Sequence, residues 1–227
     1  DYYASRGLGD VYKRQAQALQ ARQDELTQTQ IQLEQALQQA STELDSQQAA
    51  AEAQAAVTEE KRKAYEQATA ALDAYLKAQS QKYQDPARHC SLDFTCPLPS
   101  VGRISTYFGE PDAVYNKPHT GADMPAASGT LIYAVADGVV SAASARPSYG
   151  NCVQIDHGTA DDGSSYATLY AHMSSFCVSA GQTVHKGDVI GYVGNTGDVR
   201  GANGGYHLHL ELRINGTRTD PLQYIPH

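Results

Sequence analysis

Between residues 16 and 84 the apolar positions recur every seven residues. Leu19, Leu26, Leu33 and Ala40 form one row, and Leu37, Leu44 and Ala51 form a second row offset by four. This spacing gives one apolar seam along an α-helix and predicts a coiled coil. After about Ala50 the register changes. Val57, Ala64, Ala71 and Ala78 make one row and Ala68 and Tyr75 another, with small residues where leucines stood. The seam is expected to weaken there, or the helix to be interrupted. A continuous helix over this span would be about 100 Å long, a hairpin turning near residues 49–56 about half that. The pattern is compatible with either. It also suits either a spacer or oligomerisation rod or a docking or autoinhibitory arm.

From Val101 onward the period shortens. Thr130 to Ala136, Val139 to Ala142, Cys152 to Asp156 and Val189 to Val193 are short β-rich runs separated by Gly- and Asp-containing turns, which predicts a compact all-β domain. Composition places the boundary. Of 19 glycines, 17 follow residue 84, as do all nine prolines, whereas Ala and Gln fill 33 of the 69 positions from 16 to 84. The expected organisation is a tail or foreign sequence at 1–15, a coiled-coil helical region at 16–84, a linker at 85–98, and a β domain at 99–227. The fold class is α+β overall, with an N-terminal helical coiled coil and an antiparallel all-β domain.

Charge excludes one class of partner. The formal net charge is -8, with 6 basic and 10 acidic groups in residues 16–84 and 7 and 11 in residues 99–227, so no basic face for nucleic acid is expected. No run of about 18 apolar residues provides a transmembrane segment. The chain starts at Asp1 rather than Met, so a truncated start is expected, with any signal peptide out of view. Cys90, Cys96, Cys152 and Cys177 lack the C-x-x-C spacing of a zinc ribbon, and their even number suits disulfides in an oxidising compartment. Cys90 and Cys96 could close a small loop.

The candidate chemistry rests on histidines. In Tyr206-His207-Leu208-His209-Leu210-Glu211 polar and apolar residues alternate, so on a strand His207, His209 and Glu211 share one face and Leu208 and Leu210 the other. His119-Thr120-Gly121-Ala122-Asp123 offers an imidazole and a carboxylate four positions apart, with Gly121 free to turn the backbone so that they converge. Together the two motifs supply two neutral nitrogens and one anionic oxygen, with an imidazole left over. Three protein ligands and an open position are the arrangement of a catalytic zinc. His172 ends an apolar run and is open to either a core or a site role. His157 and His185 read as structural or exposed, and Glu211 as a partner of a ligand imidazole or a surface charge.

At these motifs the sequence resembles the lysostaphin/LytM-type zinc endopeptidases that cleave peptidoglycan cross-bridges. The likeness covers roughly Gly102 to Pro221. It includes His119 to Asp123, Tyr170-Ala171-His172 and His207 to His209, with Ala134 to Val140, Ile155 to Gly158, Val184 to Gly191 and Gly194 to Gly197 between them. The resemblance implies a barrel-sandwich peptidase domain, one Zn2+ held by His119, Asp123 and His209, and catalytic roles for His172 and His207, either of which could be the base. It further implies a peptidoglycan substrate and a periplasmic or extracellular site in the bacterial envelope. The implied disulfides are Cys90–Cys96 and Cys152–Cys177. The coiled coil leaves room for a homo-oligomer or an envelope protein partner.

The function expected is therefore a zinc-dependent endopeptidase acting on peptide cross-links of peptidoglycan. The rival within the same family is a non-catalytic coiled-coil activator of a cell-wall amidase, which would have lost zinc ligands. Other H-x-H enzymes fit poorly. A carbonic-anhydrase-like site needs a third histidine downstream, where only terminal His227 stands, and a cupin-like site needs its Glu later than Glu211. A lipoyl-type carrier domain would use Lys186 but not the histidines.

Overall fold

The computed structural model describes residues 2–111, 117–199 and 204–227. A single α-helix, α1 (Tyr2–Tyr83), is followed by a large antiparallel β-sheet. The chain divides into two compact units, Asp1–Glu60 and Lys61–His227.

In the first unit every described side chain from residue 12 to 60 is exposed. Leu19, Leu26, Leu33, Leu37 and Leu44 are 64 to 72% exposed, so the leucine rows have no partner among the described residues. Short-range bonds such as Gln20 to Asp24 at 3.0 Å and Gln30 to Glu34 at 3.2 Å, each four residues apart, link exposed side chains of this stretch.

The second unit holds the sheet. Its strands among the described residues are β1 (Ala122–Pro125), β2 (Leu131–Tyr133), β3 (Gly138–Arg146), β4 (Gly150–Thr159), β5 (Ser165–Phe176), β6 (Thr183–Val184), β7 (Val189–Val193), β8 (His207–Ile214) and β9 (Thr217–Thr219). The main order is β1-β8-β5-β4-β3-β6, with β7 on β2 and β5, and β9 on β8. The central strands are buried on both faces. Leu208, Leu210 and Leu212 of β8, Val153 and Ile155 of β4 and Tyr170 of β5 belong to the principal core. Leu169, Ala171, Cys152 and Ala142 point the other way and join a second cluster with Tyr149 and with Leu72 and Leu76 of α1.

This second cluster explains the change of register in the helix. Past residue 60, α1 no longer shows a seam for another helix. It packs Leu72 and Leu76, one turn apart, onto a sheet face. The Arg146 guanidinium lies 3.6 Å from the centre of the Tyr75 ring, covering the helix edge. Pro86 follows the end of α1, and Arg88 Nη1 donates to the Tyr83 carbonyl at 3.3 Å, satisfying one terminal acceptor. Residues 85–98 have no regular structure but are bonded to the sheet. Cys90 N–H donates to the Thr159 carbonyl at 2.9 Å and Thr95 N–H to Val135 at 2.8 Å, while Phe94 and Leu98 enter the principal core.

The expected disulfides are not formed, and all four cysteines are free thiols. Cys152 is buried beside Leu169 and donates from Sγ to the Ser144 carbonyl at 3.3 Å, whereas Cys177 is exposed and donates to the Val189 carbonyl. An even cysteine count carried no information about which side of a strand each thiol takes.

Candidate metal centre

Backbone pairing brings the two histidine motifs together. β1 pairs antiparallel with β8 so that Asp123 stands opposite His209 and Pro125 opposite His207. β5 flanks β8 on its other side, with Ala171 opposite His209, which carries the next residue, His172, to the same end of the sheet. Gly121 has a different role from the turn expected of it. A Cβ at this position would collide with the Leu210 carbonyl, so glycine is what lets the start of β1 lie against β8.

The side chains then converge. His209 Nδ1 lies 2.8 Å from Asp123 Oδ1, His119 Nε2 3.2 Å from the same oxygen, and His207 Nε2 3.6 Å. One ligand atom from each of His119, Asp123 and His209 lies within 4.8 Å of the other two. Zinc bonds of about 2.0–2.1 Å in a tetrahedron would set such donors about 3.3 Å apart, so this set matches a small divalent cation in size as well as in chemistry. Among the described residues it is the one group able to hold a metal. His119 Nδ1 is buried with no hydrogen-bond partner.

His172 and His207 are held differently. The Nδ1–H of His172 donates to the Thr196 carbonyl at 2.9 Å, and that of His207 to the Gly205 carbonyl at 2.6 Å. A carbonyl only accepts, so each ring carries its proton on Nδ1 and leaves an Nε2 lone pair. The two ring centroids are 4.8 Å apart. His172 sits in the left-handed region at φ 59°, an uncommon conformation for a residue other than glycine, and its N–H is fixed on the Tyr149 carbonyl at 2.9 Å. Tyr149 stacks on the His172 ring, centroids 6.4 Å apart and planes 10° from parallel. A cavity of about 200 Å³ opens over these groups, lined also by Tyr65 of α1 and by Asp198. A larger cavity, about 630 Å³, lies away from them between α1 and the β8–β9 hairpin.

Glu211, read from the sequence as a partner of a ligand imidazole or a surface charge, takes the first of these places, and Tyr149, Arg213 and Arg218, absent from that reading, surround it. Glu211 is fully buried beside His209. Its Oε1 lies 3.4 Å from His209 Nε2 and accepts from the Tyr149 hydroxyl at 2.7 Å. Its Oε2 accepts from Arg213 Nη2 at 2.7 Å, and Arg218 Nε is 3.2 Å from both oxygens. Arg213 continues the alternation of His209 and Glu211 and was legible in principle. Tyr149 and Arg218 carry no local spacing signal.

The electrostatics follow from this packing. Burial alone would raise the Asp123 carboxyl, but the hydrogen bonds and charges of His119 and His209 hold it far below the usual carboxylate range. Burial would lower His209, yet the hydrogen bonds and charges of Asp123 and Glu211 on its two nitrogens push it up to about 9. Burial, and then the charges of His209 and His207, push His172 down to about 3, which keeps it neutral at pH 7. Burial also pushes Tyr149 upward, reinforced by Glu211, so its hydroxyl stays a donor.

The family model for Peptidase family M23 matches residues 117–221, which contain all five of these side chains. The DD-carboxypeptidase/endopeptidase Mpg of Neisseria meningitidis serogroup B is 42% identical over 123 residues, 53% of this chain and 26% of that protein. The murein hydrolase activator NlpD of Escherichia coli is 34% identical over 129 residues, 56% of this chain and 30% of that protein. The chain thus spans about a quarter to a third of the length of these curated relatives. A solved chain from Pseudomonas aeruginosa assigned to peptidase M23 aligns at a TM-score of 0.53 and 29% identity, covering 67% of this chain and 60% of that one. With the antiparallel sheet bringing His119, Asp123 and His209 to one point, residues 117–221 of the chain carry a peptidase family M23 domain.

Proposed function

We propose that this chain is a zinc-dependent endopeptidase that hydrolyses peptide cross-links of bacterial peptidoglycan in the cell envelope. The observation that carries the reading is the division of labour among five side chains. Three of them gather donor atoms around one point, while two others present Nε2 lone pairs from rings fixed by backbone carbonyls. An activator of another hydrolase has no need of that second pair.

His119, Asp123 and His209 would hold the metal, in keeping with three protein ligands and an open position. When bound, zinc supplies Lewis acidity to the scissile carbonyl and to the attacking water. His172 and His207 do the proton work. Each can take a proton at Nε2 while keeping its Nδ1–H on a carbonyl, so protonation costs no ring rotation. Asp123 stays ionised and Tyr149 stays protonated through such a cycle.

The non-catalytic activator is the second reading, favoured by the similarity to NlpD. Both are tested by mass spectrometry of products released from purified sacculi by the zinc-loaded chain, with His209→Ala as control. Cross-link fragments from wild type alone support the endopeptidase. Zinc binding with no release from either protein supports the activator.

A further inference from the structure

We propose that Asp73, on α1 and outside the region matched to the peptidase family, is a positioning residue of the metal centre that fixes Glu211 against His209 through Arg213 and Arg218. This rests on the reading of His119, Asp123 and His209 as a zinc site.

Leu72 and Leu76 dock this part of the helix on the sheet face that carries Tyr149, Cys152 and Leu169, and Asp73 stands between them in sequence. Its Oδ1 accepts from two guanidiniums at once, Arg213 Nη2 at 2.8 Å and Arg218 Nη2 at 2.7 Å. Both arginines also bond Glu211, Arg213 at 3.1 and 2.7 Å and Arg218 at 3.2 Å. Two carboxylates and two guanidiniums therefore close a ring in which charge is balanced. The ring holds Glu211 in the one place where Oε1 meets both the Tyr149 hydroxyl and His209 Nε2.

Glu211 in turn selects the donor of His209. A carboxylate on Nε2 keeps the proton there and leaves Nδ1, which faces Asp123, for a cation. Remove the charge of Asp73 and two guanidiniums are left to one carboxylate. Both then draw Glu211 towards themselves and away from the ring it orients. Lys77, one turn further along α1, is exposed and stands outside the ion pairs of this ring.

The test is zinc affinity of the full chain, measured by competition with a chromophoric chelator, alongside thermal unfolding of the zinc-free protein. Partners that bond a ligand directly change metal affinity by about 10- to 100-fold when removed, so Asp73, two interactions further out beyond Glu211 and the arginines, is expected to cost less, about threefold. Asp73→Asn and Asp73→Ser should both show that loss, Asp73→Glu should recover most of it, and Lys77→Ala should match wild type. A helix clamp with no positioning role would lower the unfolding temperature without moving the affinity of the folded protein. Wild-type affinity in both Asp73→Asn and Asp73→Ser overturns the proposal. Failure of wild type itself to take up zinc overturns the zinc reading instead, and the two failures are separate observations.

Discussion

His209 and Glu211, two positions apart on β8, meet ring nitrogen to carboxylate at 3.4 Å while the other nitrogen of the same ring lies 2.8 Å from Asp123. The strand's two-residue period puts both side chains on one face, where both are buried. A single imidazole is thereby addressed by a carboxylate at each nitrogen. Glu211→Ala leaves Arg213 and Arg218 with only Asp73 as a carboxylate partner in this cluster. It is expected to destabilise the zinc-free protein by about 3–5 kcal/mol, the cost of breaking a buried ion pair, read by urea unfolding.

The five side chains at the centre should separate into two phenotypes. His209→Ala, His119→Ala and Asp123→Ala are expected to lose zinc and turnover together. His172→Ala and His207→Ala should retain stoichiometric zinc and lose about 100-fold or more in turnover. Metal analysis of each purified variant beside its rate of product release from sacculi checks the division, and zinc loss from His172→Ala or His207→Ala would contradict it.

Stability should fall in mild acid because of a histidine remote from the metal centre. His157 is fully buried, bonded to the Asp137 carbonyl and to Thr168 Oγ1, both at 2.8 Å. Burial pushes it down to about 4. The unfolded chain takes up this proton near pH 6.5 and the folded chain only near 4. The contribution is therefore complete above pH 6.5 and is lost as pH falls through that window. Between pH 7.5 and 4.5 it amounts to about 2.5 kcal/mol. Urea unfolding of wild type and His157→Gln at the two pH values should show a pH dependence smaller by about that amount in the variant.

The last turns of α1 should behave as part of the sheet's fold. Leu72 and Leu76 are buried, and Leu76→Ala or Leu72→Ala is expected to cost about 2–4 kcal/mol by denaturant unfolding. Leu26→Ala, on the exposed rows of the first unit, should leave the unfolding of residues 61–227 within about 0.5 kcal/mol of wild type.

The parts of this arrangement that were legible in the sequence are those with a period. The alternation from Tyr206 to Glu211 put His207, His209 and Glu211 on one face of β8 and Leu208 and Leu210 on the other, and the strand has its side chains so arranged. The H-x-x-x-D motif was readable because its two side chains meet within a few residues of each other. What was not legible comes from contacts between distant segments. Nothing near Tyr149 announces that its hydroxyl reaches Glu211, 62 positions away, nor near Asp73 that it meets Arg218, 145 positions away. Thr196 and Gly205 act through backbone carbonyls, which every residue has, so their side chains gave no sign. The seven-residue rows also misled beyond residue 60. Tyr75 of one row does pack against the sheet cluster, yet its buried members from the helix are Leu72 and Leu76, which lie off both rows.

β8 has almost no idle side chain. Leu208, Leu210 and Leu212 fill the core on one side while His207, His209, Glu211 and Arg213 line the candidate metal centre and its surroundings on the other. Its seven residues from His207 to Arg213 therefore offer little room for neutral drift. A library randomised there should return folded survivors altered at His207, with zinc retained, or at His209, with zinc lost, and few or none altered at Leu208, Leu210 or Leu212. Diversity of substrate choice in such a domain has to arise in the loops around the sheet, because the strand that carries the chemistry is also the strand that carries the fold.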